Sequence, residues 1–465
     1  MGSLPSPHFV IFPFMSQGHT IPLLHLSRLL RQRSAAVTIF TTAKNSPSIH
    51  ASLRNTDATV LELPFPQNIE NVPPGVENTQ QLPSMSSFIP FVTSTKLMQE
   101  NFEESLKTLN PPVSCIISDG FLGWTLESAN KFGVPRFAFF GMGNYSFLMY
   151  DILVIERPHA DSLDEPFVMP GFPCLKLTRN DFDPPLNEIE PSGPYVEFLE
   201  EQLKSTAMSH GVIVNSFYEL EKSYVDYWNE KFGPTAFCVG PLCMAATTPM
   251  ESPEKPDHVK FLDEKLSEME PVIYVAFGTQ ANVSPEQIRE IAVGLEKSHV
   301  SFLWVLNLKS RAGFPEGFEE RVRLGRRGIV VKEWVDQVEI LRHGGVKGFL
   351  SHCGWNSVLE SISAAVPMIA LPFMAEQHLN ARFVAEEVGV GLRIMPEGGS
   401  VRGFVTAEEV ERMVRELMSG EEGAAARRKA AEYGGAACES MKEGGSSIRT
   451  LDLLIEEISG RTMSF

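Results

Sequence analysis

Two short stretches of the sequence combine side chains that can do chemistry. The first, MSQGHTIP (15–22), contains His19, and a second polar turn, ISDG, brings in Asp119 a hundred residues later. The other stretch, SHCGWNS (351–357), carries a histidine, an amide and a hydroxyl close together. A histidine with a carboxylate partner can act as a general base, and a donor-rich turn before a helix can bind an anion.

Each stretch follows an apolar run that is typical of a buried strand, and helical periodicity fills the gaps between runs. The predicted strands are 8–14, 36–42, 59–65, 113–119, 136–140 and 212–217, then 272–278, 302–306, 328–334, 346–352, 368–373 and 391–395. A polar, proline-rich segment at 243–257 separates the two series. The pattern predicts an α/β protein with two doubly wound, Rossmann-like domains, because nearly continuous apolar strands fit parallel sheets buried on both faces.

In such sheets, ligands bind beyond the carboxyl ends of the strands, where the strand order reverses. With the order 3-2-1-4-5, that crevice lies between the first and fourth strands of each domain. His19 and Asp119 follow those strands in the first series, and Gly278, Thr279 and the 351–357 stretch follow them in the second. We expect the two domains to face each other across one cleft.

The first pair of residues suits proton abstraction. His19 lies where a helix begins, and the helix N-terminus disfavours imidazolium, so the ring stays neutral and available as a base. Asp119 would accept the other ring N–H and fix the tautomer. The alternative is a histidine that caps a helix above a buried aspartate; the position at a switch point favours the catalytic interpretation.

The second stretch suits a phosphate. His352 and Ser357 can donate hydrogen bonds to phosphate oxygens, Gly354 permits a close approach of the backbone, and Gly278 and Thr279 can close on the same group. A plain helix cap would explain one of these residues and not the set.

Other interpretations of these motifs are weaker. His352 and Cys353 are neighbours on a strand end and point apart, so they form a poor metal or nucleophile–base pair. No GxGxxG follows either first strand, which disfavours a dinucleotide enzyme. The sequence DFD at 181–183 resembles a metal clamp, but it lies in a proline-rich stretch, and we predict a solvated loop there.

Composition limits the partners. The formal charge is -18, from 40 basic and 58 acidic residues, which argues against nucleic acid or an anionic membrane surface as a partner. Six cysteines without CxxC spacing indicate a reducing compartment. No signal peptide is recognisable at the N-terminus, and no apolar run reaches the ~18 residues of a membrane span. We expect a cytoplasmic monomer without membrane insertion.

The segment from Trp334 to Gln377, WVDQVEILRHGGVKGFLSHCGWNSVLESISAAVPMIALPFMAEQ, resembles the complete signature box of plant UDP-dependent glycosyltransferases. QGHTIPLLHLSRLL, ISDGFLGW, VIYVAFGT and EQHLNARFV extend the resemblance over essentially the whole chain. It implies the GT-B fold, with an acceptor-binding domain at 1–242, a linker at 243–257 and a UDP-sugar-binding domain at 258–445. It also implies that a last helix, at 446–465, packs back on the first domain.

The resemblance further implies a role for each matching residue. Trp334 would stack on uracil, Gln337 would contact the uridine side and Glu360 would bind the ribose hydroxyls. The diphosphate would be held by His352, Asn356, Ser357 and Thr279. Trp355, Glu376 and Gln377 would contact the sugar, and Gln377 favours UDP-glucose. His19 would be the base and Asp119 its partner, and no cofactor or metal would be required.

The implied reaction is inverting transfer of glucose from UDP-glucose to a small, hydrophobic phenolic acceptor such as a flavonoid. Residues expected near the acceptor are Phe14, Met15, Phe88, Phe121, Phe140 and Asn144, although we expect most of the apolar ones to be core, and a helix cap is an equal explanation for Asn144. A deprotonated polyphenol can also attack through carbon, so O- and C-glycosylation both stay open. A non-catalytic UDP-sugar-binding module is a further alternative. A phosphorylase would need a pyridoxal phosphate lysine, which neither switch-point segment contains.

Overall fold

The computed structural model describes residues 6–245, 255–281, 283–306 and 313–461. They group into two compact units. The first takes its residues from Met1–Val154, Glu190–Ala246 and Ser440–Phe465, and the second from Ile155–Ile189 and Thr247–Glu439. Most of the predicted linker lies outside the described residues.

The strands in chain order are β1 (His8–Phe12), β2 (Ala36–Thr42), β3 (Thr59–Leu63), β4 (Cys115–Asp119), β5 (Arg136–Phe140), β6 (Phe167–Met169), β7 (Phe172–Leu177), β8 (Gly211–Val214), β9 (Ala236–Cys238), β10 (Val272–Ala276), β11 (Ser301–Val305), β12 (Gly328–Val331), β13 (Val346–Ser351), β14 (Met368–Ala370) and β15 (Gly391–Arg393). The α-helices are α1 (Gln17–Gln32), α2 (Ser46–Ser52), α3 (Phe88–Ser94), α4 (Gln99–Lys107), α5 (Thr125–Phe132), α6 (Asn144–Glu156), α7 (Pro194–Ala207), α8 (Tyr218–Lys231), α9 (Asp257–Ser267), α10 (Pro285–Ser298), α11 (Phe318–Leu324), α12 (Gln337–Arg342), α13 (Trp355–Ser363), α14 (Gln377–Arg382), α15 (Ala407–Ser419), α16 (Glu421–Ser440) and α17 (Ser446–Arg461).

The two large sheets are parallel and doubly wound. In the first unit the strand order is β3-β2-β1-β4-β5-β8-β9, and in the second it is β12-β11-β10-β13-β14-β15. The predicted order 3-2-1-4-5 is confirmed in each unit. Burial explains the apolar runs, since every residue of β1, β4, β5 and β10 is buried. The sequence did not reveal β9 or the antiparallel hairpin β6–β7, whose strands are short or partly exposed.

The last helix belongs to the core of the first unit. Leu451, Leu454 and Ile458 of α17 join the apolar cluster on one face of the first sheet. Arg33 Nε, after α1, donates to Asp452 Oδ1 at 2.5 Å. The burial of three large aliphatic side chains stabilises the helix on this unit.

The segment between residues 155 and 189 corrects two predictions. It groups with the second unit, so the prediction that residues 1–242 form one domain is wrong here. The prediction of a solvated loop at DFD is also wrong. Asp181 is fully buried, and its Oδ1 accepts hydrogen bonds from Arg382 (2.7 Å) and Arg393 (3.3 Å). Asp183 pairs with Arg402 at 2.5 Å.

Charge pairing explains why this polar segment is buried. Burial alone would raise the pKa of Asp181, but Arg382 and Arg393 hold it below its usual value. The arginines come from sequence positions two hundred residues away, which a local pattern does not reveal. The two aspartates therefore bind the segment to the rest of the second unit through ion pairs with arginine.

Candidate functional site

The first site lies at the carboxyl ends of β1 and β4. These strands are neighbours, with Phe12 opposite Ser118. The chain leaves β1 through a tight turn and enters α1, which puts His19 in the first helical turn. His19 Nδ1 lies 2.7 Å from Asp119 Oδ2, so the predicted juxtaposition is confirmed.

Asp119 is held in place from two sides. It is fully buried, and its Oδ1 accepts the backbone N–H of Phe121 at 3.0 Å, while Oδ2 faces His19. The His19 ring is one-fifth exposed. A carboxylate at Nδ1 favours the tautomer with the proton on that atom, which leaves Nε2 as the basic nitrogen.

Aromatic rings surround the histidine. Phe121 lies 5.2 Å and Phe14 lies 5.6 Å from the His19 ring, measured between centroids. Phe88 completes the group at 6.2 Å from Phe14 and 6.0 Å from Phe121. Phe88 and Phe121 are partly exposed. Phe88 and Phe121 therefore offer apolar surface to a flat aromatic molecule, whereas Phe14 is 1 % exposed and packs against both of them as part of the core.

The other predicted acceptor residues are also buried. Met15 is 4 % exposed and belongs to the core cluster, and Phe140 packs on Phe147 with 4.3 Å between ring centroids. Asn144 is buried at the start of α6, and its side-chain amide has no hydrogen-bond partner among the described residues. It does not cap α6, because Glu221 accepts the Tyr145 N–H at 2.7 Å and fills that role.

The second site lies at the carboxyl ends of β10 and β13, where Ala276 is opposite Ser351. Gly278 has a φ of +70°, and a Cβ atom there would lie 2.7 Å from His352 Nε2. A Cβ at Gly354 would meet the same nitrogen at the same distance. The two glycines therefore make room for the imidazole, whose pKa burial lowers to about 4. His352 is a neutral hydrogen-bonding group at neutral pH.

The helix after this turn is open to an anion. Gly354 precedes α13 and supplies no side-chain cap, so the first-turn amides have no capping oxygen from that position. Asn356 is half-buried, Ser357 is 6 % exposed and Thr279 is exposed. The predicted phosphate ligands thus line one helix N-terminus and the neighbouring strand end.

A hydrogen-bond network connects the predicted uridine residues. Gln337 Nε2 lies 2.8 Å from Ser357 Oγ and 2.6 Å from Glu360 Oε2, and Tyr274 donates to Gln337 Oε1 at 3.1 Å. Burial raises the pKa of Glu360 to about 7. Sequence reasoning missed Tyr274, since a tyrosine in an apolar strand is usually core.

Asp336, the residue before α12, has a clear local function. Its carboxylate accepts the backbone N–H groups of Val338 (3.0 Å) and Glu339 (3.2 Å), so it caps α12. The cap fixes the start of the helix at Gln337. Trp334, just before it, is 76 % exposed, and its ring is accessible for stacking.

The residues predicted to contact the sugar differ in how accessible their side chains are. Trp355 is 2 % exposed and lies near Phe383, so little of its ring can contact a ligand. Gln377 Oε1 accepts the N–H groups of Phe373 (3.0 Å) and Met374 (3.2 Å), which leaves the amide nitrogen to donate to a sugar hydroxyl. Glu376 is half-buried immediately before α14.

Arg136 was also missed by sequence reasoning. It opens β5 and is 1 % exposed, directly behind Asp119. The sequence feature that could have identified it is an arginine at the start of the otherwise apolar strand RFAFF. A guanidinium buried in such a strand requires several hydrogen-bond acceptors nearby.

The described ranges also bear on metal binding and membrane insertion. Within them, no three His, Cys, Asp or Glu side chains are arranged to hold a metal ion. No described helix has the length and apolar character needed to cross a bilayer.

Comparisons with known proteins identify the family of the chain. Residues 244–421 match the family described as UDP-glucoronosyl and UDP-glucosyl transferase. UDP-glycosyltransferase 90A1 of Arabidopsis thaliana is 50 % identical, over 97 % of this chain and 96 % of the relative. Scopoletin glucosyltransferase of Nicotiana tabacum is 34 % identical, over 99 % and 98 %.

A solved structure gives the same result for the fold. Phytolacca americana UGT2, complexed with UDP-2-fluoro-glucose and pterostilbene, is similar with a TM-score of 0.81 and 30 % identity, covering 98 % of this chain and all of that one. Identity of this extent over nearly the full length shows common descent. The chain belongs to the plant family 1 UDP-glycosyltransferases, transferases of the GT-B fold.

Proposed function

We propose that this enzyme transfers glucose from UDP-glucose to a hydroxyl group of a small phenolic molecule, with inversion at the anomeric carbon. His19 is the general base and Asp119 its partner. The observation that carries the proposal is the 2.7 Å contact between His19 Nδ1 and the buried Asp119 carboxylate, beside a cluster of aromatic rings.

The donor is assigned to the second site. Trp334 offers an exposed indole to uracil, Gln337 and Glu360 offer polar groups to the ribose side, and the α13 N-terminus with neutral His352 offers donors to the diphosphate. Hydrogen-bond donors of this kind stabilise the charge that develops on the leaving diphosphate. The proposal requires no metal ion.

The acceptor is assigned to the first site. The partly exposed rings of Phe88 and Phe121 favour an aromatic molecule, with its hydroxyl directed at His19. Two relatives support this class by name, since one is a scopoletin glucosyltransferase and the other holds pterostilbene. All six cysteines are free thiols, which supports a reducing compartment such as the cytoplasm.

The chemistry is a single displacement. His19 Nε2 takes the proton of the acceptor hydroxyl while the oxygen forms a bond to the anomeric carbon. The bond from that carbon to the UDP oxygen breaks, and UDP leaves with the electron pair. Asp119 stabilises the imidazolium, which then returns its proton to water. One displacement converts the α-linked donor into a β-glucoside.

The test incubates the purified enzyme with UDP-glucose and phloretin, a phenol open to attack through oxygen or carbon, and detects the product by mass spectrometry before and after hot acid. An acid-labile hexoside supports O-glucosylation, and an acid-stable hexoside assigns the enzyme to C-glycosylation instead.

Two histidine variants test the base in the same assay. His19→Ala is expected to lose about a thousandfold in kcat/KM, the scale of a general base, whereas His50→Ala, an exposed histidine of the same unit, is expected to match the wild type. Full activity in His19→Ala contradicts the assigned mechanism.

A further inference from the structure

A buried cation lies directly behind the proposed base and its partner. Arg136 Nη2 donates to the backbone carbonyl of Asp119 at 3.2 Å, and Nε donates to Ser118 Oγ at 2.9 Å. Its Nη1 donates to Ser209 Oγ (2.8 Å) and Ser205 Oγ (3.3 Å). All three guanidinium nitrogens therefore bond to hydroxyl or carbonyl oxygens, and none of these partners is a carboxylate.

Such a charge needs a compensating anion. Burial lowers the pKa of Arg136 to about 10, while the charge of Asp119 acts in the opposite direction, so the guanidinium stays protonated at neutral pH. Ser118 and Asp119 of β4 and two serine hydroxyls from α7 and its C-terminal turn surround the guanidinium, and His19 of α1 contacts the Asp119 carboxylate. Asp119 is the anion that this cation faces.

We propose that Arg136 is a positioning residue for the His19–Asp119 pair: it fixes the end of β4 and, through its charge, limits how readily the pair accepts a proton. This inference rests on the proposed roles of His19 and Asp119. With His19 neutral, the Arg136 and Asp119 charges offset each other. When His19 takes the acceptor proton, a second positive charge appears beside this pair. Repulsion between that charge and Arg136 disfavours protonation, so the guanidinium keeps the resting base free of protons.

The structure also provides the rigidity that such an effect needs. Ser118 Oγ lies 2.6 Å from Thr125 Oγ1, and Ser205 Oγ donates to the Gly123 carbonyl at 3.0 Å. Gln202 Oε1 accepts the Gly123 N–H at 2.9 Å. The loop that carries Asp119 into α5 is thereby fixed to α7, and Arg136 lies at the junction.

The test measures kcat/KM for phloretin at saturating UDP-glucose between about pH 5 and 9, since the acidic limb of this profile reports protonation of the base. Arg136→Gln removes the charge but keeps a donor, so its limb is expected to move to higher pH by about one unit. Arg136→Lys keeps the charge and is expected to leave the limb in place. Ser209→Ala removes a hydroxyl remote from the carboxylate and is expected to match the wild type. An unmoved limb in Arg136→Gln, or an equal shift in Ser209→Ala, overturns the inference.

A second comparison applies if Arg136→Gln does not fold, as circular dichroism would show. Arg136→Lys cannot contact Ser118 and the Asp119 carbonyl together, so kcat is expected to fall about tenfold, against less than twofold for Ser209→Ala. Equal losses overturn the inference. The proposed function is contradicted separately, by full activity in His19→Ala. If His19→Ala is inactive and the acidic limb of the pH profile does not move in Arg136→Gln, only the role of Arg136 is contradicted.

Discussion

The two switch-point sites are built on the same sheet topology but balance charge in opposite ways. In the first unit, Asp119 contacts a histidine through its buried carboxylate and a buried guanidinium through its backbone carbonyl. In the second, the histidine is neutral, and the nearby carboxylate of Glu360 has a pKa raised to about 7, close to losing its charge. The first site is thus internally compensated, whereas the Glu360 carboxylate of the second is only partly charged at neutral pH.

This difference matches the chemistry assigned to each site. A base must carry a proton for an instant, so its partners have to be charged and fixed before the substrate arrives. A diphosphate brings its own charge, so its site needs donors and a helix N-terminus rather than carboxylates. If the comparison is correct, substitutions at the first site change turnover, and substitutions at the second change donor affinity.

The largest expected effect is at Asp119. Asp119→Asn removes the charge that stabilises the imidazolium and weakens control of the tautomer, so kcat is expected to fall about a thousandfold with UDP affinity within twofold of the wild type. Initial rates and calorimetric titration with UDP measure the two quantities.

A matched control is available in the same unit. Asp151 is also buried, and burial raises its pKa to about 7, but it makes no contact with His19 in the structure. Asp151→Asn is expected to leave kcat unchanged. A similar kcat loss in both variants, or weaker UDP binding in Asp119→Asn, would break the division between the two sites.

The next effect is at Gly278. Alanine there adds a methyl group 2.7 Å from His352 Nε2 and strains a backbone with a φ of +70°, so UDP affinity is expected to fall more than about tenfold. Turnover at saturating UDP-glucose is expected to change little, because the base is untouched. Titration with UDP and rates at saturation separate these outcomes.

Gly398 supplies the control for backbone strain. It has a φ of +85° and no atom within 4 Å of an added Cβ, so Gly398→Ala carries the conformational cost without the clash. Its UDP affinity is expected to stay within twofold. Equal losses in the two variants would show that strain, and not the position of His352, governs donor binding.

The sequence predicts the topology well and the charge network poorly, for a physical reason. Continuous apolar strands can fit only a sheet covered on both faces, and that sheet fixes where His19 meets Asp119 and where Gly278 meets His352. Hydrogen bonds and ion pairs between distant polar side chains have no local sequence pattern. Asp181 contacts Arg382, and Arg136 contacts Ser209, only after the chain has folded. The DFD segment was therefore predicted to be a solvated loop, although Asp181 is buried and Asp183 is only partly exposed.

The smallest effect concerns Glu360. A carboxylate accepts the ribose hydroxyls better than its protonated form does, so uridine binding is expected to release a proton and to strengthen as the pH rises through about 7. Between about pH 6 and 8 the affinity is expected to rise by up to tenfold. Uridine is the suitable ligand because it has no phosphate that titrates in this range.

Calorimetric titration with uridine at the two pH values measures this effect, and two variants serve as controls. Glu360→Gln cannot titrate and is expected to bind weakly and equally at both values, while Glu339→Gln, an exposed residue on α12, is expected to keep the wild-type dependence. Affinity that is independent of pH in the wild type would mean that Glu360 already carries its charge without a ligand. The second site would then hold a fixed anion, as the first does, and its preference for a diphosphate would depend entirely on the α13 N-terminus and its neighbouring donors.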